Sequence, residues 1–137
     1  MGGWRGRRAP VVTKTILCIH DRIRFLSVFR SYFEERGYRV LAAPTGTEGI
    51  RLLKSTNVDA VVLDYEAPEM PGTAALQVIK GVPPKTQVLI LSGAKSKISP
   101  DARHAATAIL MKVFSAPELM RNVERIIQEE LPKNFSP

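Results

Sequence analysis

Five short apolar runs recur along the chain, and segments with helical spacing separate them. Each run has the length of a β-strand, and most are rich in Val, Ile and Leu. The runs show no regular polar face, so both faces of each strand are expected to be buried, as in a parallel sheet covered by helices on both sides. The runs cover residues 15–19, 38–42, 60–63, 88–91 and 108–111.

The intervening segments carry helix signals. Thr45, Ser99 and Ser115 can each cap the first turn of a helix, and Gly37 follows a helical segment where a terminating glycine is common. Because β-α-β crossovers are right-handed, the order β-α repeated five times predicts a doubly wound, three-layer α/β/α sandwich with helices on both faces. Among the common strand orders of such sheets we expect the flavodoxin-like order 2-1-3-4-5. The first and third predicted helices cover residues 22–36 and 72–80. The second, fourth and fifth begin after Thr45, Ser99 and Ser115, and the fifth ends before Pro132.

Length and composition favour one globular domain. The chain has 137 residues, of which 45% are hydrophobic and 24% charged. We expect a basic arm at residues 1–12, a domain at 13–131 and a tail at 132–137. The single cysteine excludes an internal disulfide, and no apolar stretch is long enough for a membrane span. A cytoplasmic protein without a membrane partner is therefore expected.

Positive charge is concentrated at the start of the chain. The net charge is +7, and residues 1–14 contribute four basic side chains and no acid. Such an arm could contact nucleic acid, a membrane surface or an acidic partner. It could also be a solvated leader, which we favour because four charges are few for a phosphate-binding footprint.

Polar side chains follow four of the predicted strands. His20 and Asp21 follow the first strand, Asp64 the third, Ser92 the fourth and Lys112 the fifth. Ligands of open parallel sheets bind at this carboxyl edge. Two carboxylates without a soft ligand suit Mg²⁺, and a lysine with a hydroxyl suits phosphoryl oxygens. The set predicts a carboxylate that attacks phosphorus and becomes an aspartyl phosphate.

The chain lacks the motifs of other nucleotide-binding sites and of hydrolase sites. The chain has no glycine-rich dinucleotide turn after the first strand, no phosphate-binding P-loop and no G-x-S-x-G elbow. An FMN-binding flavodoxin needs a Ser/Thr/Gly loop after the first strand to bind the phosphate. His20, Asp21 and Arg22, which follow that strand here, do not form such a loop. Cys18 lies in the middle of the first strand, where we expect a core residue.

Four stretches of the chain contain the predicted strands together with the polar residues that follow them. They are Thr-Ile-Leu-Cys-Ile-His-Asp at 15–21, Val-Val-Leu-Asp-Tyr-Glu-Ala-Pro-Glu-Met-Pro-Gly at 61–72, Val-Leu-Ile-Leu-Ser-Gly-Ala at 88–94 and Ile-Leu-Met-Lys-Val-Phe-Ser-Ala-Pro-Glu-Leu at 109–119. With these stretches, residues 13–131 resemble the receiver domains of two-component response regulators. No single motif decides this, but the order of all of them along the strands is specific.

The resemblance implies a role for each pocket residue. Asp64 would be the phosphoryl acceptor, and Asp21, Asp64 and the backbone carbonyl of Glu66 would hold Mg²⁺. Ser92 would move toward the phosphoryl group, and Lys112 would pair with one of its oxygens. The small Gly93 would leave room for the phosphodonor.

The resemblance also implies how the protein acts. We expect a stand-alone receiver that takes a phosphoryl group from a histidine kinase or phosphotransfer protein. It would not be an enzyme beyond self-catalysed phosphoryl acceptance and slow autodephosphorylation. Signalling would use a downstream protein docked on the face of the fourth helix, fifth strand and fifth helix, with a homodimer possible and no DNA-binding output domain.

Four positions depart from the usual pattern of the family. Ala67 stands in place of a methionine, and the other three bear on the pocket and its switch. His20 stands in place of an acid, Ile109 in place of the switch aromatic, and Val113 in place of the proline after the lysine. His20 beside two carboxylates predicts a raised imidazole pKa and weakened Mg²⁺ binding, and Ile109 predicts a weak switch. The alternative function is therefore a degenerate receiver that acts as a phosphorylation-independent binding module.

Overall fold

The computed structural model describes residues 13–65, 78–93, 98–112 and 115–128. Within them lies one parallel sheet with strands in the order β2-β1-β3-β4-β5, which confirms the predicted fold class and strand order. The strands are β1 Thr15–Ile19, β2 Arg39–Ala43, β3 Ala60–Asp64, β4 Gln87–Ser92 and β5 Ala108–Met111.

Four helices have both ends among the described residues. The helices labelled α1 and α2 match the first two predicted helices, and α3 and α4 match the predicted fourth and fifth. Residues 78–80 are helical and end the predicted third helix, whose residues 72–77 lie outside the described part. The bounds are α1 Ile23–Glu34, α2 Gly46–Ser55, α3 Pro100–Ala105 and α4 Ala116–Gln128.

The predicted helix caps are confirmed. Thr45 Oγ1 accepts a hydrogen bond from the Glu48 N–H at 3.2 Å. The hydroxyls of Ser99 and Ser115 likewise accept from the N–H groups of Ala102 and Glu118, at 3.1 and 3.2 Å. Each bond satisfies one of the amide donors that a helix leaves unpaired in its first turn, and so stabilises the point where the chain leaves a strand-connecting loop.

The chain leaves α1 through a glycine turn. Gly37 has a φ of +93°, its N–H donates to the Glu34 carbonyl, and the Tyr38 N–H donates to the Phe33 carbonyl. These two bonds form a Schellman motif, which favours glycine because the left-handed backbone crowds a Cβ. The turn leads the chain directly into β2.

The core has two apolar layers, one on each face of the sheet. Successive strand residues point to opposite faces, so Leu17 and Ile19 join one layer while Ile16 and Cys18 join the other. The first layer includes side chains of α2 and α3, and the second includes those of α1 and α4. Cys18 is fully buried, as predicted for a core residue, and burial followed by the nearby Asp64 charge raises the pKa of its thiol.

Among the described helices, none combines the length and apolar character that a bilayer crossing requires. The predicted basic arm and the C-terminal tail lie outside the described residues, so both stay predictions.

Candidate functional site

The sheet topology brings the predicted polar residues together at its carboxyl edge. β1 and β3 are neighbours in the centre of the sheet, although β2 intervenes in the sequence, so the strand order switches between them. A switch of this kind opens a crevice at the carboxyl ends of the strands. Asp64 ends β3, and His20 and Asp21 follow directly after β1.

Asp64 forms a close ion pair. Its side chain is 2% exposed, and its Oδ1 lies 2.8 Å from the Nζ of Lys112. Removing a carboxylate from water is costly unless a cation and hydrogen bonds replace the lost hydration. The Lys112 side chain is 34% exposed, so it carries its charge from the pocket rim toward the buried acceptor.

The end of β4 positions Lys112. The Lys112 N–H donates to the Ser92 carbonyl at 2.7 Å, which extends the pairing of β4 with β5 by one residue. Ser92 is fully buried, and Gly93 follows it at the exposed rim. The structure thus brings Lys112 to Asp64 as predicted, while the proposed movements of Ser92 stay a prediction.

His20 lies against the other oxygen of Asp64. Its Nε2 is 3.3 Å from Asp64 Oδ2, and its Nδ1 is 3.5 Å from Asp21 Oδ1. Nδ1 also accepts a hydrogen bond from the Arg22 N–H at 3.1 Å. The ring stacks on Phe25 with centroids 4.1 Å apart and an interplanar angle of 14°. His20 is therefore fixed from three sides.

The prediction of a raised His20 pKa is wrong. Burial lowers the pKa of this imidazole below its ordinary value, and Lys112 and Arg22 act in the same direction. The nearby Asp64 and Asp21 favour the protonated ring, but they do not outweigh the loss of hydration. The Arg22 N–H aimed at Nδ1 also disfavours a proton there, so the ring is neutral at neutral pH.

Side chains of His20, Asp21 and Asp64 form a cluster able to hold a metal ion, with one ligand atom of each within 4.8 Å of the others. Two carboxylates fit a hard cation such as Mg²⁺. An imidazole is a softer ligand, and this one has its Nδ1 already engaged. The fit to Mg²⁺ therefore rests on Asp21 and Asp64, while Glu66 lies outside the described residues.

The structure describes the residue at the switch position, Ile109, but not the residue that follows the lysine, Val113. Ile109 is half-buried and packs against the core layer that includes α3, in register with Ile90 of β4. An aliphatic side chain of this kind fills core space and offers no hydroxyl or ring face to the pocket. Val113 lies outside the described residues.

Two aromatic residues support the site in ways that the sequence analysis missed. Phe25 holds the His20 ring, although its sequence spacing marks it only as a helix or core residue. The Tyr65 side chain is buried, and its hydroxyl accepts a hydrogen bond from the Ser99 N–H at 3.2 Å. Its position directly after Asp64 is the only sequence signal, and it does not reveal the contact with the start of α3.

Comparison with known protein families gives one clear match. The family described as "Response regulator receiver domain" matches residues 16–124. A similar curated protein is the probable C4-dicarboxylate response regulator DctR of Priestia megaterium, 28% identical over 115 residues, which cover 81% of this chain and 50% of that protein. The chain spans at most about half the length of the curated relatives it matches.

Solved structures show the same fold. The signal receiver domain of an HD domain-containing protein from Pseudomonas fluorescens Pf-5 has a TM-score of 0.76 at 23% identity, covering 90% of this chain and 94% of that one. The response regulator TrrA of Thermotoga maritima, solved in complex with Mg(2+)-BeF, has a TM-score of 0.70 at 26% identity, covering 83% of this chain and 99% of that one.

Proposed function

This chain belongs to the response regulator receiver domain family, and from that premise we propose that Asp64 accepts a phosphoryl group. The observation that carries the proposal is the contact between Asp64 Oδ1 and Lys112 Nζ at 2.8 Å, on a carboxylate that is 2% exposed. A carboxylate that served only as a loop acid or a helix cap would have no need of this buried position at the switch point of the sheet.

The chemistry follows from these two groups. A carboxylate oxygen of Asp64 forms a bond to phosphorus while the P–N bond of a phosphohistidine donor breaks, and the electron pair of that bond stays with the donor nitrogen. The Lys112 ammonium then lies close enough to offset charge that spreads over the phosphoryl oxygens. By the family resemblance, the Ser92 hydroxyl and the small Gly93 would lie beside the same group.

Asp21 and Asp64 would hold the divalent cation that this chemistry uses. Bound there, Mg²⁺ would neutralise part of the negative charge of the acceptor and the incoming phosphoryl group. The structure of TrrA with Mg(2+)-BeF supports the proposal by analogy, since that protein shares the fold and 26% of its aligned residues.

We propose partners of two kinds. A histidine kinase or phosphotransfer protein would supply the phosphoryl group in the cytoplasm, and a downstream protein would dock on the face formed by α3, β5 and α4. Independent action without an attached output domain stays a prediction, because the curated relatives are longer than this chain. Homodimer formation also stays a prediction.

The direct test is phosphorylation by a small phosphodonor followed by intact-mass measurement. With saturating Mg²⁺, the wild-type chain should gain the mass of one phosphoryl group, and Asp64→Asn should gain none. Asp101→Asn is the matched control, since Asp101 is an exposed acid in the first turn of α3. Equal labelling of wild type and Asp64→Asn would refute Asp64 as the acceptor.

One observation favours a second candidate function. His20 and Lys112 contact both carboxylate oxygens of Asp64, and Ile109 supplies no switch aromatic. A receiver whose acceptor carboxylate is already held by these two side chains would serve as a phosphorylation-independent binding module. The same experiment separates the two functions, because this module would gain no phosphoryl group under any cation concentration.

A further inference from the structure

His20 has a fixed pattern of proton donation. A neutral imidazole carries one N–H donor and one acceptor nitrogen. Nδ1 accepts from the Arg22 N–H at 3.1 Å, so the proton lies on Nε2. Nε2 is the atom that lies 3.3 Å from Asp64 Oδ2. The ring therefore presents a hydrogen, and not a lone pair, to the acceptor carboxylate.

This pattern is the reverse of that in a metal-binding histidine. Such a histidine donates its second ring N–H to a carboxylate or carbonyl, which orients the ligating lone pair. Here the second nitrogen accepts from the backbone N–H of Arg22 at 3.1 Å, while the nearest oxygen of the Asp21 carboxylate is farther away, at 3.5 Å. For Nε2 to bind a metal, the proton would have to move to Nδ1 and break that hydrogen bond. The stacking of Phe25 on the ring also opposes its rotation.

We infer that His20 is a positioning residue whose Nε2–H holds Asp64 Oδ2 and thereby weakens divalent-cation binding at Asp21 and Asp64. Lys112 holds the other oxygen of the same carboxylate. The two nitrogen groups together keep the acceptor in place without a cation. The inference rests on the proposed function only in taking Asp64 as the acceptor, since the cation and proton positions can be measured without phosphoryl transfer.

The physical reason is competition for one oxygen. A cation on Oδ2 would lie about 2.1 Å from it, close to the imidazole proton that already faces this atom at an N···O distance of 3.3 Å. The cation must then displace the imidazole or approach with fewer ligands. Changes of this kind around a metal cost about 10–100-fold in affinity. We therefore expect at least about a tenfold loss relative to a carboxylate at the same position.

The first test is calorimetric titration with Mg²⁺ alone at about pH 8, where the imidazole is neutral. His20→Asp should bind Mg²⁺ at least about tenfold more tightly than wild type. His20→Gln keeps a side-chain N–H donor on a similar reach and should stay near the wild-type affinity. Wild type that binds as tightly as His20→Asp would overturn the inference, and so would a His20→Gln variant that binds as tightly as His20→Asp.

The second test is ¹⁵N NMR of the histidine rings in the wild-type protein, which needs no variant and therefore stands if His20→Asp does not fold. We expect the His20 signals of the Nε2–H tautomer both before and after saturation with Mg²⁺. The exposed His104 is an internal reference. A proton on Nδ1, or loss of the Nε2 proton when Mg²⁺ binds, would show that His20 is a ligand and contradict the inference.

Neither the calorimetric titration nor the NMR experiment uses a phosphodonor. If the Asp64 labelling experiment fails, the cation affinities and the tautomer still decide the role of His20. If the affinities are equal instead, phosphoryl acceptance by Asp64 remains open to its own test.

Discussion

The Asp64–Lys112 ion pair allows a quantitative prediction about stability. At 2.8 Å, two unit charges attract by about 1.5 kcal/mol at the dielectric constant of water and by about 6 kcal/mol at an effective value near 20. Asp64 is buried, but Lys112 is 34% exposed, so solvent screens part of the attraction. We expect an interaction free energy of about 2–4 kcal/mol, which is below the full cost of breaking a wholly buried pair.

The perturbation is a double-mutant cycle on these two residues. Lys112→Met keeps most of the side-chain length and removes the charge, which leaves Asp64 buried against a neutral neighbour. Its free energy of unfolding should fall by about 2–4 kcal/mol. Asp64→Asn should cost less, because its partner Lys112 can turn toward water. The double variant should be close to Asp64→Asn, since the unpaired charge is gone.

Urea denaturation at pH 7 and low salt measures all four proteins. The Arg30–Glu34 pair of α1 is the matched control, because both side chains are 48% exposed at an N···O distance of 3.6 Å. A cycle on that pair should give only about 0.3–0.5 kcal/mol. If the Asp64–Lys112 cycle also gives less than about 0.5 kcal/mol, the pair behaves as a surface contact and the argument from burial is refuted.

Three further predictions concern the pocket and the chain termini. Since burial lowers the His20 pKa in the folded state, the folded protein binds fewer protons than the unfolded chain below about pH 6.5. The free energy of unfolding should therefore decrease as the pH is lowered through this range. In urea titrations between about pH 7 and 5, His20→Gln should lose part of this pH dependence of the free energy of unfolding, and His104→Gln should keep it. The same pH dependence in wild type and His20→Gln would contradict a lowered His20 pKa. Tyr65→Phe removes only the hydroxyl that accepts from the Ser99 N–H. It should lower the free energy of unfolding by about 0.5–1.5 kcal/mol and speed amide exchange at the start of α3, whereas Tyr32→Phe should leave that exchange unchanged. Deletion of residues 1–12 should not alter nucleic-acid binding at physiological salt, because we expect none to be measurable; tight, salt-sensitive binding by the intact chain alone would refute this.

The fold could be predicted because its strands are apolar on both faces. Such runs identify a buried parallel sheet, and the capping residues identify where helices begin. The ends of β4 were harder to place, since Gln87 and Ser92 are polar and buried. At the first of these, the Thr107 hydroxyl donates to the Gln87 side chain at 2.9 Å, and a hydrogen bond between residues 20 positions apart leaves no local pattern.

The composition of the site could be predicted because parallel strands deliver their following residues to one edge. Its electrostatics could not be predicted in the same way. The sequence shows His20 next to an acid, which suggests a raised pKa. The structure adds burial, the Arg22 N–H at Nδ1 and the stacked Phe25, and these depend on how the short loop before α1 turns. Neighbours in the sequence therefore predicted the sign of the shift incorrectly.

These contacts change the charge balance at the acceptor. Among the residues that the structure describes, the pocket sets the two carboxylates of Asp21 and Asp64 against the ammonium of Lys112, because the neutral His20 adds no charge of its own. A third acid in place of His20 would raise the electrostatic demand for a divalent cation, whereas an imidazole N–H lowers it by holding one oxygen of Asp64. The pocket is then less dependent on a cation before phosphorylation. The incoming phosphoryl group brings additional negative charge, so any cation should bind more tightly to the phosphorylated protein than to the free one.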